Sequence, residues 1–72
     1  LILSIDRQGI YYVNDVEAGE PELIDALERT VSLTENPTAL IVADEDVPLK
    51  RVTRLVDLCR SSGLLDFRLQ SR

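Results

Sequence analysis

The 72-residue sequence contains no histidine, no tryptophan and no methionine, and its only cysteine is Cys59. Without histidine, imidazole general-base catalysis and histidine-based metal sites are excluded. A single thiol forms neither an internal disulfide nor a cysteine-rich zinc site. Two tyrosines and one phenylalanine are the only aromatic residues, which argues against a base-stacking platform for nucleic acid. These absences leave few catalytic chemistries open, and we expect no enzymatic activity.

Long apolar runs are also missing. No stretch of roughly 18–20 apolar residues is present, so no membrane span is expected within the sequence. The chain opens inside an apolar stretch, Leu1-Ile2-Leu3, without a methionine, and we therefore expect it to be a fragment of a longer protein. A composition of 44% hydrophobic and 29% charged residues is typical of one globular domain, which we assign to residues 1–72.

Charge is unevenly distributed along the chain, whose net charge is −5. Residues 1–46 carry eleven acidic and two basic residues, a net charge of −9, whereas residues 47–72 carry six basic and two acidic residues, a net charge of +4. The acidic balance argues against binding to nucleic acid or to an anionic membrane surface. The asymmetry either orients a partner or a second copy, or simply solvates two helix faces, and the second interpretation is favoured.

The apolar pattern predicts four strands and two helices. Residues 1–5 alternate in polarity and, with residues 10–13, predict an antiparallel hairpin around the turn at Gly9, closed by Asn14-Asp15. Proline at helical starts predicts helices from Pro21 to before Asn36-Pro37 and from Pro48 to Gly63. Residues 39–43 predict a buried strand, and residues 66–70 predict a one-sided edge strand.

This order predicts an α+β fold of two layers (an α/β two-layer sandwich), ββαβαβ in sequence. The sheet is expected to be four-stranded and mixed, because a strand-helix-strand unit from residue 39 to residue 70 makes its two strands parallel. Both helices are expected on one face of the sheet. The uncovered face is then available to a partner or a second copy, since so small a core gains from further burial.

Several residues are candidates for chemistry. Asp44-Glu45-Asp46 follows a central strand, where oxygen ligands could hold Mg²⁺ or Ca²⁺, but capping of the second helix is the favoured interpretation. The second helix is expected to bury one apolar stripe, formed by Leu49, Val52, Leu55, Val56 and Cys59. Cys59 is therefore interpreted as a small buried hydrophobe. No catalytic residue, metal ligand or cofactor site is therefore assigned.

Four side chains are candidates for an interface. Tyr11 and Tyr12 point to opposite faces of their strand, so one is expected in the core and the other at the surface, where tyrosine is a good anchor. Arg51 and Arg54, with Lys50, form a basic patch. This patch either contacts an anionic partner or polymer or is a solvated face, and the solvated face is favoured.

The whole pattern resembles the C-terminal periplasmic domain of the ExbD/TolR family of biopolymer transport proteins. The resemblance rests on the order of many weak matches, which are Gly9, Tyr12 and Asn14 of the hairpin, Glu22, Leu23 and Leu27, Asn36-Pro37, Ala43-Asp44, Pro48, Val52, Asp57, Gly63 and Leu69. Two positions depart from the family, which often has an aromatic residue in place of Leu49 and a β-branched residue in place of Leu64. These departures concern which subfamily the chain belongs to, rather than the family itself.

The resemblance implies a role in energy transduction. Members of the family have a transmembrane helix with a proton-carrying aspartate, a linker and this domain in the periplasm of Gram-negative bacteria. They work as dimers with an ExbB/TolQ-like stator, use the proton motive force to drive a TonB/TolA-like partner and, in TolR, contact peptidoglycan. The aspartate would lie before Leu1, so no residue of this sequence inherits its role.

The residues themselves supply a hypothesis for partner binding. The edge strand, Asp66 to Gln70, is a template to which a partner strand can add, with Phe67 and Leu69 buried in the complex and Arg68 and Gln70 exposed. A proline at Arg68 is then expected to abolish binding. The alternative function is a ferredoxin-like domain that senses a small molecule between paired copies, and a metal-assisted hydrolase around Asp44 and Asp46 is a remote third.

Overall fold

The computed structural model describes all 72 residues and shows one five-stranded sheet with two helices. The elements follow the expected order, with one additional strand. They are β1 (Ile2–Ile5), β2 (Tyr11–Val13), β3 (Val16–Ala18), α1 (Glu20–Leu33), β4 (Thr38–Ala43), α2 (Leu49–Ser61) and β5 (Asp66–Ser71). The α+β class and the mixed sheet are confirmed, and the number of strands is corrected from four to five.

The sheet has the strand order β3-β2-β1-β4-β5, so β1 lies at its centre. Strand β1 pairs antiparallel with β2 and parallel with β4, while β4 pairs parallel with β5. The unexpected strand β3 pairs antiparallel with β2 because Asn14 and Asp15, at φ of 48° and 71°, form a two-residue turn between Val13 and Val16. These two residues therefore connect two strands rather than ending the sheet.

Both helices pack on the same face of the sheet, as expected. The side chains of Leu3, Ile5 and Ile41 point to this face, whereas the alternate residues of the same strands point away. One apolar core joins the sheet and the helices, and its buried members are Leu3, Ile5, Tyr11, Leu23, Leu27, Ala39, Ile41, Leu55, Leu58, Cys59 and Leu64. The opposite face carries no helix, so we call it the open face.

The helix boundaries follow local chemistry. Helix α1 begins with Pro21 in its first turn beside Glu20 and Glu22, whose charges favour the positive end of the helix dipole. After α2, Gly63 adopts a left-handed φ of 92° that returns the chain toward the sheet. Neither helix is both long and apolar enough to cross a membrane.

The prediction that aspartate side chains cap α2 is wrong. Pro48 occupies the N-cap position, and no side chain caps the helix. The Asp44 Oδ1 atom instead accepts a hydrogen bond of 2.9 Å from the Asp46 N–H. Asp44 stabilises this local turn instead, because an aspartate side chain readily accepts a hydrogen bond from the backbone N–H two residues ahead.

The loop between β1 and β2 is held by Asp6. Its Oδ1 atom accepts hydrogen bonds from the N–H groups of Gln8 and Ile10, and its Oδ2 atom accepts one from the Tyr12 hydroxyl. The hydrogen bond from Ile10, followed by that from Tyr12, lowers the pKa of the Asp6 carboxyl. One ionised side chain thus fixes both the loop and the start of the return strand.

Candidate functional site: an open sheet edge

The backbone of β5 is free along one side. The Arg72 N–H donates to the Ala43 carbonyl, and the Arg72 carbonyl accepts from the Glu45 N–H, both at 2.9 Å. Because alternate residues of a parallel strand bond to the same neighbour, Gln70 and Arg68 also direct their backbone groups toward β4. The N–H and C=O groups of Phe67, Leu69 and Ser71 therefore point outward, away from the sheet.

The side chains of β5 alternate between the two faces, as the sequence predicted. Phe67 and Leu69 are paired with Ala39 and Ile41, so they lie on the helix side of the sheet. Phe67 is half-buried against the core, whereas 59% of Leu69 is exposed. The side chains of Asp66, Arg68 and Gln70 are exposed on the other side.

An exposed leucine of α2 lies near Leu69, and the sequence interpretation missed it. Leu49 was placed on the buried stripe of α2, but 78% of it is exposed because it stands at the first residue of the helix. A cleft of about 310 Å³ runs beside both leucines. We call it the α2–β5 groove, and its apolar lining consists of Ala43, Val47, Leu49, Val52 and Leu69.

The two tyrosines lie on opposite faces of β2, as predicted. Tyr11 is 6% exposed, and its hydroxyl makes no hydrogen bond. Burial, aided by the negative charge of Glu20, raises the pKa of Tyr11. Tyr12 is half-buried on the open face, where its hydroxyl donates to Asp6 at 3.1 Å. Only Tyr12 is therefore placed to meet a partner.

The open face has a shallow apolar strip near its centre. Ile2 and Leu40 are neighbours on β1 and β4, and 46% of Ile2 is exposed. Toward the carboxyl ends of the same strands, a cleft of about 300 Å³ lies between Tyr12, Val42 and Arg72. This face is continuous with the edge at β5.

The two arginines of the basic patch on α2 have different contacts. Arg54 donates two hydrogen bonds to the Glu20 carboxylate, at 2.7 and 3.1 Å, and they lower the pKa of Glu20. Arg51 makes no ion pair, and its guanidinium lies over Gly9, where a Cβ atom would come within 3.3 Å of Nε. Both arginines face α1 and the β1–β2 loop, so they do not join β5 in one site.

The remaining candidates do not form a reaction centre. No three acidic or cysteine side chains are arranged to hold a metal ion together. Cys59 is fully buried, as expected, and burial raises the pKa of its thiol. The arrangement that remains is an open strand edge beside an apolar groove.

An α+β domain with a free strand edge and an uncovered sheet face belongs to the class of small two-layer domains whose mixed sheet is open on one side. The sequence matches the family described as biopolymer transport protein ExbD/TolR over residues 1–72, and the chain belongs to this family. No individual curated protein matches it. The resemblance noted in the sequence is thereby confirmed, and the family places the chain in energy-transducing biopolymer transport.

Proposed function

We propose that residues 1–72 form a single periplasmic domain of a proton-motive-force-driven complex of the ExbB–ExbD–TonB or TolQ–TolR–TolA type. In this proposal the domain belongs to a single-pass inner-membrane protein of a Gram-negative bacterium and acts as a homodimer beside an ExbB/TolQ-like stator. It acts by binding, without catalysis, and supports transport across the outer membrane. The family match over the whole chain supports this role.

The site of action that we propose is β5, which binds an extended segment of the TonB/TolA-like partner. The observation that carries this proposal is the outward direction of the N–H and C=O groups of Phe67, Leu69 and Ser71. Such a row of free groups along a six-residue strand is a template for strand addition. Tyr12 on the open face is proposed as a further contact, to the second protomer or to peptidoglycan.

The directions of the backbone N–H groups in β5 decide at which residue a proline can test this site. Arg68 directs its N–H toward β4, so a proline there would break the internal ladder and unfold the edge. Ser71→Pro instead removes an outward N–H that has no partner within the chain. Glu17→Pro is the matched control, because the Glu17 N–H also points outward, but from β3 at the opposite edge.

Both variants are titrated with the periplasmic segment of the TonB/TolA-like protein from the same genome, and binding is measured by calorimetry. Ser71→Pro is expected to weaken binding at least tenfold, while Glu17→Pro binds like the parent chain. Equal loss in both variants, or in neither, would contradict the assignment to β5. Unchanged amide spectra outside the substituted strand establish that each variant is folded.

A further inference from the structure

The α2–β5 groove is an exposed apolar cleft beside the open edge. Leu49 and Leu69 are exposed there by 78% and 59%, far more than a leucine in a packed core. Val47 and Val52 complete the apolar wall on the side of α2. Exposed leucines that share one cleft mark a surface that gains by being covered.

The occupant of the groove follows from the backbone of the same strand. Leu69 directs its side chain toward the groove, and its N–H and C=O groups point outward. A strand that pairs with these groups continues the sheet, so every second side chain of that strand lies on the helix side. The side chain opposite Leu69 then enters the groove.

One end of the groove is acidic. Asp44 and Glu45 line it beyond Ser71, and neither carboxylate takes part in an ion pair. A strand advances about 3.3 Å per residue, so a side chain two residues beyond the one opposite Leu69 reaches this end. Two adjacent carboxylates that take part in no ion pair favour a lysine or arginine at that position.

Resting on the proposed addition of a partner strand to β5, we propose that the groove selects the sequence of that strand. The partner segment carries an aliphatic residue that enters between Leu49 and Leu69, and a basic residue two positions away that meets Asp44 and Glu45. A second copy of β5 fits less well, because its basic side chains, Arg68 and Arg72, lie on the open face. The occupant is therefore an extended segment of another protein.

The test uses overlapping twelve-residue peptides that tile the periplasmic segment of the TonB/TolA-like partner. Each is titrated into the isotope-labelled chain, and the amide signals of Phe67, Leu69 and Ser71 report binding at the edge. In the peptide that binds, replacing the aliphatic residue by serine is expected to weaken binding about tenfold. Replacing the basic residue by glutamate is expected to weaken binding several-fold at low salt and less at high salt.

Matched variants of the chain connect this selectivity to the groove. Leu69→Ser is expected to abolish the preference for the aliphatic peptide over its serine form, while the edge amides still respond. Val16→Ser on β3, where the valine is 68% exposed, is expected to leave the preference unchanged.

Each outcome has a distinct meaning. If no peptide shifts the edge amides, strand addition to β5 is itself wrong. If a peptide shifts them but tolerates serine and glutamate equally, strand addition stands and the selective groove is overturned. Concentration-dependent self-association that shifts the same amides without peptide would also overturn the groove proposal, since a second copy would then be its occupant.

Discussion

The two edges of the sheet differ in length, in anchoring and in what they expose. Strand β3 has three residues and is joined to β2 by a two-residue turn. Strand β5 has six residues and is connected to its neighbour β4 along the chain by the whole of α2. The short edge directs the backbone groups of Glu17 alone outward, whereas the long edge directs those of Phe67, Leu69 and Ser71 outward, and a longer row of free groups is the better template for pairing with another chain. The contrast teaches that this fold protects one edge and leaves the other available.

The two halves of the sheet are also held by different means. Side chains bond to backbone in the antiparallel half, where Asp6 fixes the loop and Asn14 Oδ1 accepts from the Ile2 N–H at 2.9 Å. No side chain makes such a bond to β5, which depends on its ladder with β4 and on Phe67. The antiparallel half therefore depends on a few polar residues, and the parallel half on continuous backbone pairing.

The largest effect is expected from a proline that breaks this ladder. Gln70→Pro removes an N–H directed toward β4 and leaves a carbonyl of β4 without its donor, which costs about 2–3 kcal/mol. A core of this size rarely provides more than about 3–5 kcal/mol. Urea unfolding is expected to show a large loss for Gln70→Pro and little for Ser71→Pro. Similar losses in the two variants would contradict the assigned directions of the backbone groups.

A smaller effect is expected at the turn that carries β3. Asn14→Ala places alanine at a left-handed φ of 48° and removes the acceptor for the Ile2 N–H, so we expect a loss of about 1–2 kcal/mol. Hydrogen exchange should increase in β3 and remain unchanged in β5. Asn14→Gly is the control, because glycine accepts this φ and the variant isolates the lost hydrogen bond. Equal deprotection of both edges would show that they are not independent.

The smallest effect is expected from protonation of Asp6. Its pKa is lower in the folded chain than in the unfolded chain, where it is about 3.9. The stabilisation is therefore present above about pH 4 and is lost as the pH falls through the folded-state pKa. Asp6→Asn is expected to reduce the decline of the urea midpoint between pH 6 and pH 3. Glu17→Gln is the control, since Glu17 accepts no hydrogen bond, and an identical decline in both variants would exclude Asp6 as a source.

Most of the fold could be predicted because its elements carry strong local signals. Proline at the start of α1 and left-handed glycine after α2 mark the helices, and alternation marks β1 and β5. Strand β3 was missed because Val16-Glu17-Ala18 is too short for alternation to stand out. Its signal was Asn14-Asp15, a pair that tolerates left-handed backbone and could have been interpreted as a hairpin turn.

The candidate site was predicted only in part. Alternation at residues 66–70 indicated an edge strand, and the structure places it there. Leu49 could not be placed from helical spacing, because periodicity says which side of α2 it occupies but not that the sheet ends beneath it. The direction of the backbone groups, which rejects proline at Arg68, depends on the register with β4, and a single sequence does not contain that register.

The buried thiol of Cys59 gives this protein a built-in probe of how often its core opens. As the only cysteine, fully enclosed by the core and with a raised pKa, it is almost inert toward thiol reagents while the domain is closed. Its rate of labelling therefore counts the openings of the core, without any introduced probe. Because β5 packs on the same core through Phe67, a partner strand that stabilises this edge should lower the rate at which Cys59 is labelled.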